Sequence, residues 1–267
     1  MIRPLVFVLA ILAGAPLTAT ARQVPGDIAT ISDEFESAAS LAGWRWHHEA
    51  EGWPAMVRRA DVATTAAGHL YLEPATSGWY AEWHAPFLYK EVAGDFDVTT
   101  RLEAAGLAGG VPRRTWSLAG LMVRVPRGVT RADWAQGGEN WLFVTTGVAQ
   151  EPGVPVFETK TTVNSQSRLQ LHPACAGPVQ LRIARIGSRF TLRGQCGAGE
   201  WRELASFDRP DMPALVQVGI AAYTDWDTMQ ARYGDDAAAF NAKGIADGAP
   251  DLAVRVDWVR FARPAPH

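Results

Sequence analysis

Five stretches of this chain alternate apolar and polar residues or run apolar for a few positions, and each is bounded by Gly, Pro or Asp. They read GDFDVTTRLEA (94–104), SLAGLMVRV (117–125), VQLRIARIGSRFTL (179–192), LVQVGIAAYT (215–224) and LAVRVDWVRF (252–261). Side chains on a strand point alternately to its two faces, so this pattern predicts half-buried antiparallel strands. Shorter strands are predicted at 31–35, 69–74, 78–83, 139–148, 156–163 and 167–171, the last two turning at Asn164-Ser165-Gln166. Residues 105–116 and 126–138, rich in Gly, Pro and Arg, are expected to be loops. Only 224–244, with Met229, Tyr233 and Phe240, carries helical spacing. The fold expected from this is all-β, two antiparallel sheets in one domain over 31–262 with a short helical insertion near 224–244.

The chain opens MIRPLVFVLAILAGAPLTATA, with a positive Arg3, an apolar run from Leu5 to Leu12 and a small-x-small site at Ala19-Thr20-Ala21. That is the form of a secretory signal peptide over 1–21, followed by a lead over 22–30. The apolar run is interrupted by Gly14 and Pro16 and falls short of the roughly 20 residues a membrane span needs. A secreted or periplasmic protein with no membrane span after cleavage is expected. In that oxidising setting Cys175 and Cys196, the only cysteines, flank a hairpin turning at Gly187-Ser188, and a disulfide between them is expected.

Charge excludes some partners. Lys and Arg total 25 against 28 Asp and Glu, a net charge of -3, which leaves no basic footprint for nucleic acid. No Gly-x-Ser-x-Gly and no phosphate-binding glycine loop is present. His47 and His48 are adjacent and would face opposite sides of a strand; His84 and His172 stand alone. Neither these nor Asp225-x-Asp227 and Asp235-Asp236, expected in a solvated acidic loop, complete a metal motif, so neither a metal nor a cofactor is expected.

The order DEF, GDFDVTTRLE, AGLMVRV, NWLFV, VQLRIARIGSRFTL, GEWRELASFDRPDMPALVQVGIAAYT and a closing VRVDWVRF resembles the concanavalin A-like lectin/glucanase superfamily, in its secreted bacterial branch of uncharacterised function. The resemblance runs from about residue 31 to residue 262 and implies a jelly-roll sandwich whose concave sheet holds a sugar. Its retaining hydrolases carry Glu-x-Asp-x-x-Glu on one strand, and that spacing is absent here. On the corresponding strand, VFETKTTV, Glu158 is followed by Lys160, and the two share a face.

Tryptophan bears on function, with 11 in the chain. Trp44, Trp46 and Trp53 lie beside His47 and His48; Trp79, Tyr80, Trp83 and His84 follow. Large aromatics fill cores, and their flat faces also stack on sugar rings. On strand alternation Trp79 and Trp83 share a face. The expected site takes a carbohydrate or other polyol-like ligand, with a polar floor of Arg124, Glu158 and Lys160 and aromatic walls from Trp79, Trp83 and Trp141. The competing readings are a glycoside hydrolase or lyase using Glu158, Glu139, Arg124 and Asp225, and a structural or protein-interaction domain.

Overall fold

The computed structural model describes residues 26–264, so the leader over 1–21 lies outside the described residues. Fourteen strands form two seven-stranded antiparallel sheets. They are β1 (Arg45–Trp46), β2 (Val57–Val62), β3 (Leu70–Pro74), β4 (Phe87–Ala93), β5 (Phe96–Ala105), β6 (Ser117–Arg124), β7 (Trp141–Val148), β8 (Pro155–Val163), β9 (Gln166–Pro173), β10 (Val179–Ile186), β11 (Arg189–Cys196), β12 (Arg202–Asp208), β13 (Leu215–Tyr223) and β14 (Ala253–Ala262). The first sheet runs β1-β4-β13-β6-β7-β8-β9 and the second β12-β11-β10-β5-β14-β3-β2, a jelly-roll sandwich. Among the described residues no helix is long and apolar enough to cross a membrane.

The core between the sheets follows the alternation. Val98 and Leu102 of β5, Leu181 and Ile183 of β10, and Val254 and Val256 of β14 meet Leu121 and Val123 of β6, Leu142 and Val144 of β7, and Val218 and Ile220 of β13, all buried. Burying such a side chain is worth about 1.5–3 kcal/mol, so this layer holds the sheets together. β6 and β7 are buried at every residue, on both faces. Their outer face is therefore also covered, and that cover builds the site.

The β8–β9 hairpin turns at Asn164 and Ser165, with φ 46° and 64°. Two consecutive left-handed residues make the turn whose twist matches that of the strands, and Asn tolerates the conformation. The β10–β11 hairpin turns at Gly187-Ser188 and is closed at its base by a Cys175–Cys196 disulfide, with Cα atoms 5.9 Å apart. The helical excursion is present as α2 (Trp226–Tyr233) and α3 (Ala237–Lys243), and a third helix, α1, spans His47–Glu51.

Three local expectations need correction. Residues 31–35 are not a strand: Ala29–Ile31 is a 3-10 turn, and Asp33 alone bridges to Val259. Residues 78–83 are not a strand either. Ala81 sits at φ 49°, which breaks the extended backbone, so Trp79 and Trp83 do not share a face. Asp225 is not in a solvated acidic loop; it is 1% exposed and accepts hydrogen bonds from Thr76 Oγ1 at 2.7 Å, Thr228 Oγ1 at 2.8 Å and the Ala249 amide at 2.7 Å. It ties α2 to the 75–77 and 248–250 segments.

Candidate functional site

Alternation sends a second set of side chains to the outer face of the first sheet. Phe87 and Tyr89 of β4, Leu118 and Met122 of β6, Trp141 and Phe143 of β7, and Tyr223 of β13 form a separate buried cluster with Trp79. Among these apolar side chains β8 places Glu158 and Lys160. The register pairs Glu158 with Thr145 and Lys160 with Phe143. The two form an ion pair at 3.0 Å and are 0% and 2% exposed. Glu158 Oε2 also accepts from the Tyr223 hydroxyl in a short contact and from Thr145 Oγ1 at 3.3 Å. Lys160 Nζ donates to the Trp79 carbonyl at 2.8 Å. It lies 4.8 Å from the Phe143 ring centroid, 5.3 Å from that of Tyr223 and 5.5 Å from that of Tyr80.

Burial holds the Lys160 ammonium below its ordinary pKa, against the opposing pull of Glu158. Burial also raises the Tyr223 phenol well above its ordinary value, and the Glu158 carboxylate raises it further. Tyr223 therefore stays a hydrogen-bond donor. An ammonium has three N–H groups. The Trp79 carbonyl takes one, and Glu158 lies 3.0 Å away as the counter-charge.

Over Lys160 opens a pocket of about 200 Å³. Trp79, Tyr80, Trp116 and Trp226 wall it, with Tyr223 and Leu169 beside Lys160. These residues come from α2, from three strands and from the loops before β4 and β6. Trp226 can lie close because residue 78 is glycine; a Cβ there would stand 2.6 Å from its ring. The pocket is smaller than the roughly 300–1,000 Å³ of drug-sized ligand sites and suits a single ring.

The expected site residues separate into three places. Trp79 and Lys160 line this pocket, and Glu158 lies behind Lys160 as its counter-charge. Trp141 backs Trp79, their ring centroids 5.9 Å apart, and stacks on Phe143. Trp83 packs instead with Met56, Met229 and Phe240 under the helical excursion, its ring 5.7 Å from Trp226. Arg124 lies in a polar cluster of its own, 0% exposed, beneath α1 and the loop before β7.

That cluster was not foreseen as a unit. Arg124 donates to both oxygens of Glu139 at 2.9 Å, to Glu51 at 2.6 Å and to Gln217 at 3.1 Å. His47 approaches Glu51 at 3.0 Å and His84 approaches Glu139 at 3.4 Å; the two imidazole centroids are 4.8 Å apart. Trp53 donates to Glu51 at 3.0 Å. Burial works against ionisation of Glu139, and Arg124 more than offsets it, holding that carboxyl well below the usual range. Burial, with Arg124 beside it, depresses His47 to about 4 and keeps it neutral at pH 7.

Glu139 and Glu158 belong to different clusters of the outer face. Their carboxylates contact the Arg124–Trp141 and Thr145–Glu158 rows of the sheet, four residues apart on β7. At 3.3 Å per residue those rows lie about 13 Å apart along the strand.

No protein-family model and no curated protein matches the chain. Solved structures do. A functionally unknown protein from Saccharomyces cerevisiae is similar over 85% of this chain and 99% of its own, with TM-score 0.56 and 17% identity. A non-specific endo-β-1,3(4)-glucanase of family GH16 is similar over 87% of this chain and 90% of its own, at TM-score 0.51 and 15% identity. Lectin I-B4 from Griffonia simplicifolia is similar over 88% and 99%, at TM-score 0.51 and 14% identity. The fold is that of the concanavalin A-like lectins and glucanases. In this concanavalin A-like sandwich the outer face of the first sheet is roofed by α1, the 75–86 segment, the 126–140 loop and α2–α3, and the aromatic pocket is the opening that the roof leaves over Lys160.

Proposed function

We propose that the protein binds a carbohydrate, one sugar ring seated in the aromatic pocket over Lys160. The observation that carries this is a pocket with four aromatic walls and one buried lysine, ion-paired to Glu158. Aromatic faces stack on the apolar faces of sugar rings, and a few fixed polar groups set orientation. Lys160 donates to a ring or hydroxyl oxygen, and the sugar ring stacks on an aromatic wall that Tyr80 and Trp226 form edge-to-face, their centroids 5.8 Å apart. The glucanase and lectin that share the fold act on or recognise sugars by their names, which supports the class of ligand and leaves its identity to experiment. Recognition without hydrolysis fits carboxylates that are each tied up in an ion pair, Glu139 with Arg124 and Glu158 with Lys160.

A glycan array on the protein, followed by calorimetry on the best ligand, tests the proposal. Tyr80→Ala and Trp226→Ala should each weaken binding by about 1–3 kcal/mol, the scale of a lost aromatic contact. Tyr80 is 39% exposed, so its removal should leave the unfolding midpoint unchanged. Ligand binding indifferent to both substitutions would sink the assignment of this pocket.

A further inference from the structure

Beside the first pocket, and sharing Tyr80 and Trp226 with it, lies a second and more open one of about 560 Å³. Its aromatic side is Tyr80, Trp83 and Trp226, with ring centroids 5.8 Å and 5.7 Å apart along the row. Its charged lining residues are Glu82 and Asp235, both acidic. Glu82 is 7% exposed. One of its oxygens accepts from the Gly137 amide in a short contact, while Oε2 is buried and has no hydrogen-bond partner. Among the described residues no Lys, Arg or His nitrogen comes within 4.0 Å of it to form an ion pair. A buried carboxylate with neither counter-charge nor donor on one oxygen is costly, and a cation relieves that cost. Tyr80, Trp83 and Trp226 line the same pocket, and an aromatic face attracts a cation.

We propose that this second pocket is a subsite for a protonated amine carried by the ligand, so that the sugar recognised is an oligomer with free amino groups. The assignment rests on the sugar-binding proposal above, since the two pockets meet at Tyr80 and Trp226. The ring in the first pocket is held by stacking and by Lys160. The next unit places its ammonium between Glu82 and the rings of Trp83 and Trp226, with Asp235 at the exposed mouth. Lys160 would repel that ammonium from the first pocket, which fixes the direction in which the chain lies.

The test is a titration at about pH 6 with a glucosamine trimer, the same trimer N-acetylated, and a glucose trimer, each against the protein and against Glu82→Gln. The glucosamine trimer should bind about tenfold more tightly than the other two. Glu82→Gln keeps an acceptor for the Gly137 amide, and should abolish the preference while the glucose trimer still binds. Asp235→Asn, on an exposed side chain, should reduce the preference about threefold with no change in folding. The preference should vanish near pH 9, where the amine is neutral. Equal binding of all three trimers, or a preference that survives Glu82→Gln, overturns the amine subsite and leaves the sugar pocket standing. Binding of none of them overturns the amine subsite, while the sugar pocket stands or falls with the glycan array and with Tyr80→Ala and Trp226→Ala.

Discussion

Replacing Arg124 with methionine should be among the most damaging single changes outside the apolar core. The aliphatic stem is kept, so the loss is that of the guanidinium alone. That group makes four hydrogen bonds, two to Glu139, one to Glu51 and one to Gln217, in a place with no solvent exposure. After substitution Glu139 retains Arg127 at 3.1 Å, while Glu51 retains only His47, kept neutral by burial, and the Trp53 indole. Removing one partner of a buried ion pair costs about 3–5 kcal/mol. Because two carboxylates are left short of charge here, the expected loss is about 5 kcal/mol. Urea unfolding at pH 7, with the disulfide intact in every variant, measures it. Adding Glu51→Gln and Glu139→Gln to Arg124→Met should recover at least half, because the stranded charges are then gone. A loss under about 1 kcal/mol for Arg124→Met, or no recovery in the triple variant, would refute the idea that the roof over the first sheet is pinned by charge.

Acid should loosen the same cluster. His47 ordinarily titrates near 6.5 and is held at about 4 in the fold by burial first and Arg124 next. The unfolded chain therefore binds the extra proton between those values. The stabilisation is complete above about pH 6.5 and is lost as pH falls toward 4, amounting to about 3 kcal/mol. Glu51 adds to the fall at lower pH: burial opposes its ionisation, Arg124 and His47 outweigh that, and its carboxyl lies below the usual range. Thermal midpoints measured from pH 7 to pH 4 should drop for the native protein and less for His47→Gln; a flat profile would contradict this. Reduction of Cys175–Cys196, which are 21 residues apart, should lower stability by about 3 kcal/mol in the chain-entropy model, checked by unfolding with and without reductant.

The sheets were legible in the sequence because each strand carries its own record. Val98 and Leu102, or Leu181 and Ile183, alternate with polar neighbours, and that period survives whatever the chain does elsewhere. Glu158 and Lys160 could be placed on one face for the same reason, and their ion pair follows. What could not be read is contact between segments remote in sequence. Trp79 and Trp83 look equivalent four positions apart, yet the left-handed Ala81 between them sends one onto the sheet and the other under α3. Arg124, Glu51 and Glu139 lie on a strand, a helix and a loop, and no local spacing predicts that they meet. β2 and β4 also escaped notice. In β4, FLYKEVA alternates only weakly because its outer face, Phe87 and Tyr89, is roofed over and as apolar as its inner one. Glu139 was considered only as a catalytic acid, and its position just before a buried strand, fifteen residues after a buried-strand arginine, was the one signal of its pairing.

The pocket over Lys160 takes one wall from the segment before β4, its cation from β8 and another wall from α2, three pieces of chain remote in sequence that the fold brings together. A chain in which they are apart lacks the pocket. A ligand is then a probe of completion: it sees the finished molecule alone, and it raises the free energy of unfolding by RT ln(1 + [L]/Kd), about 2.7 kcal/mol at a hundredfold excess over Kd. Shifts in melting temperature across a panel of sugars would rank ligands with no label and no assay of activity, and the same shifts would be lost from any variant whose roof fails to close.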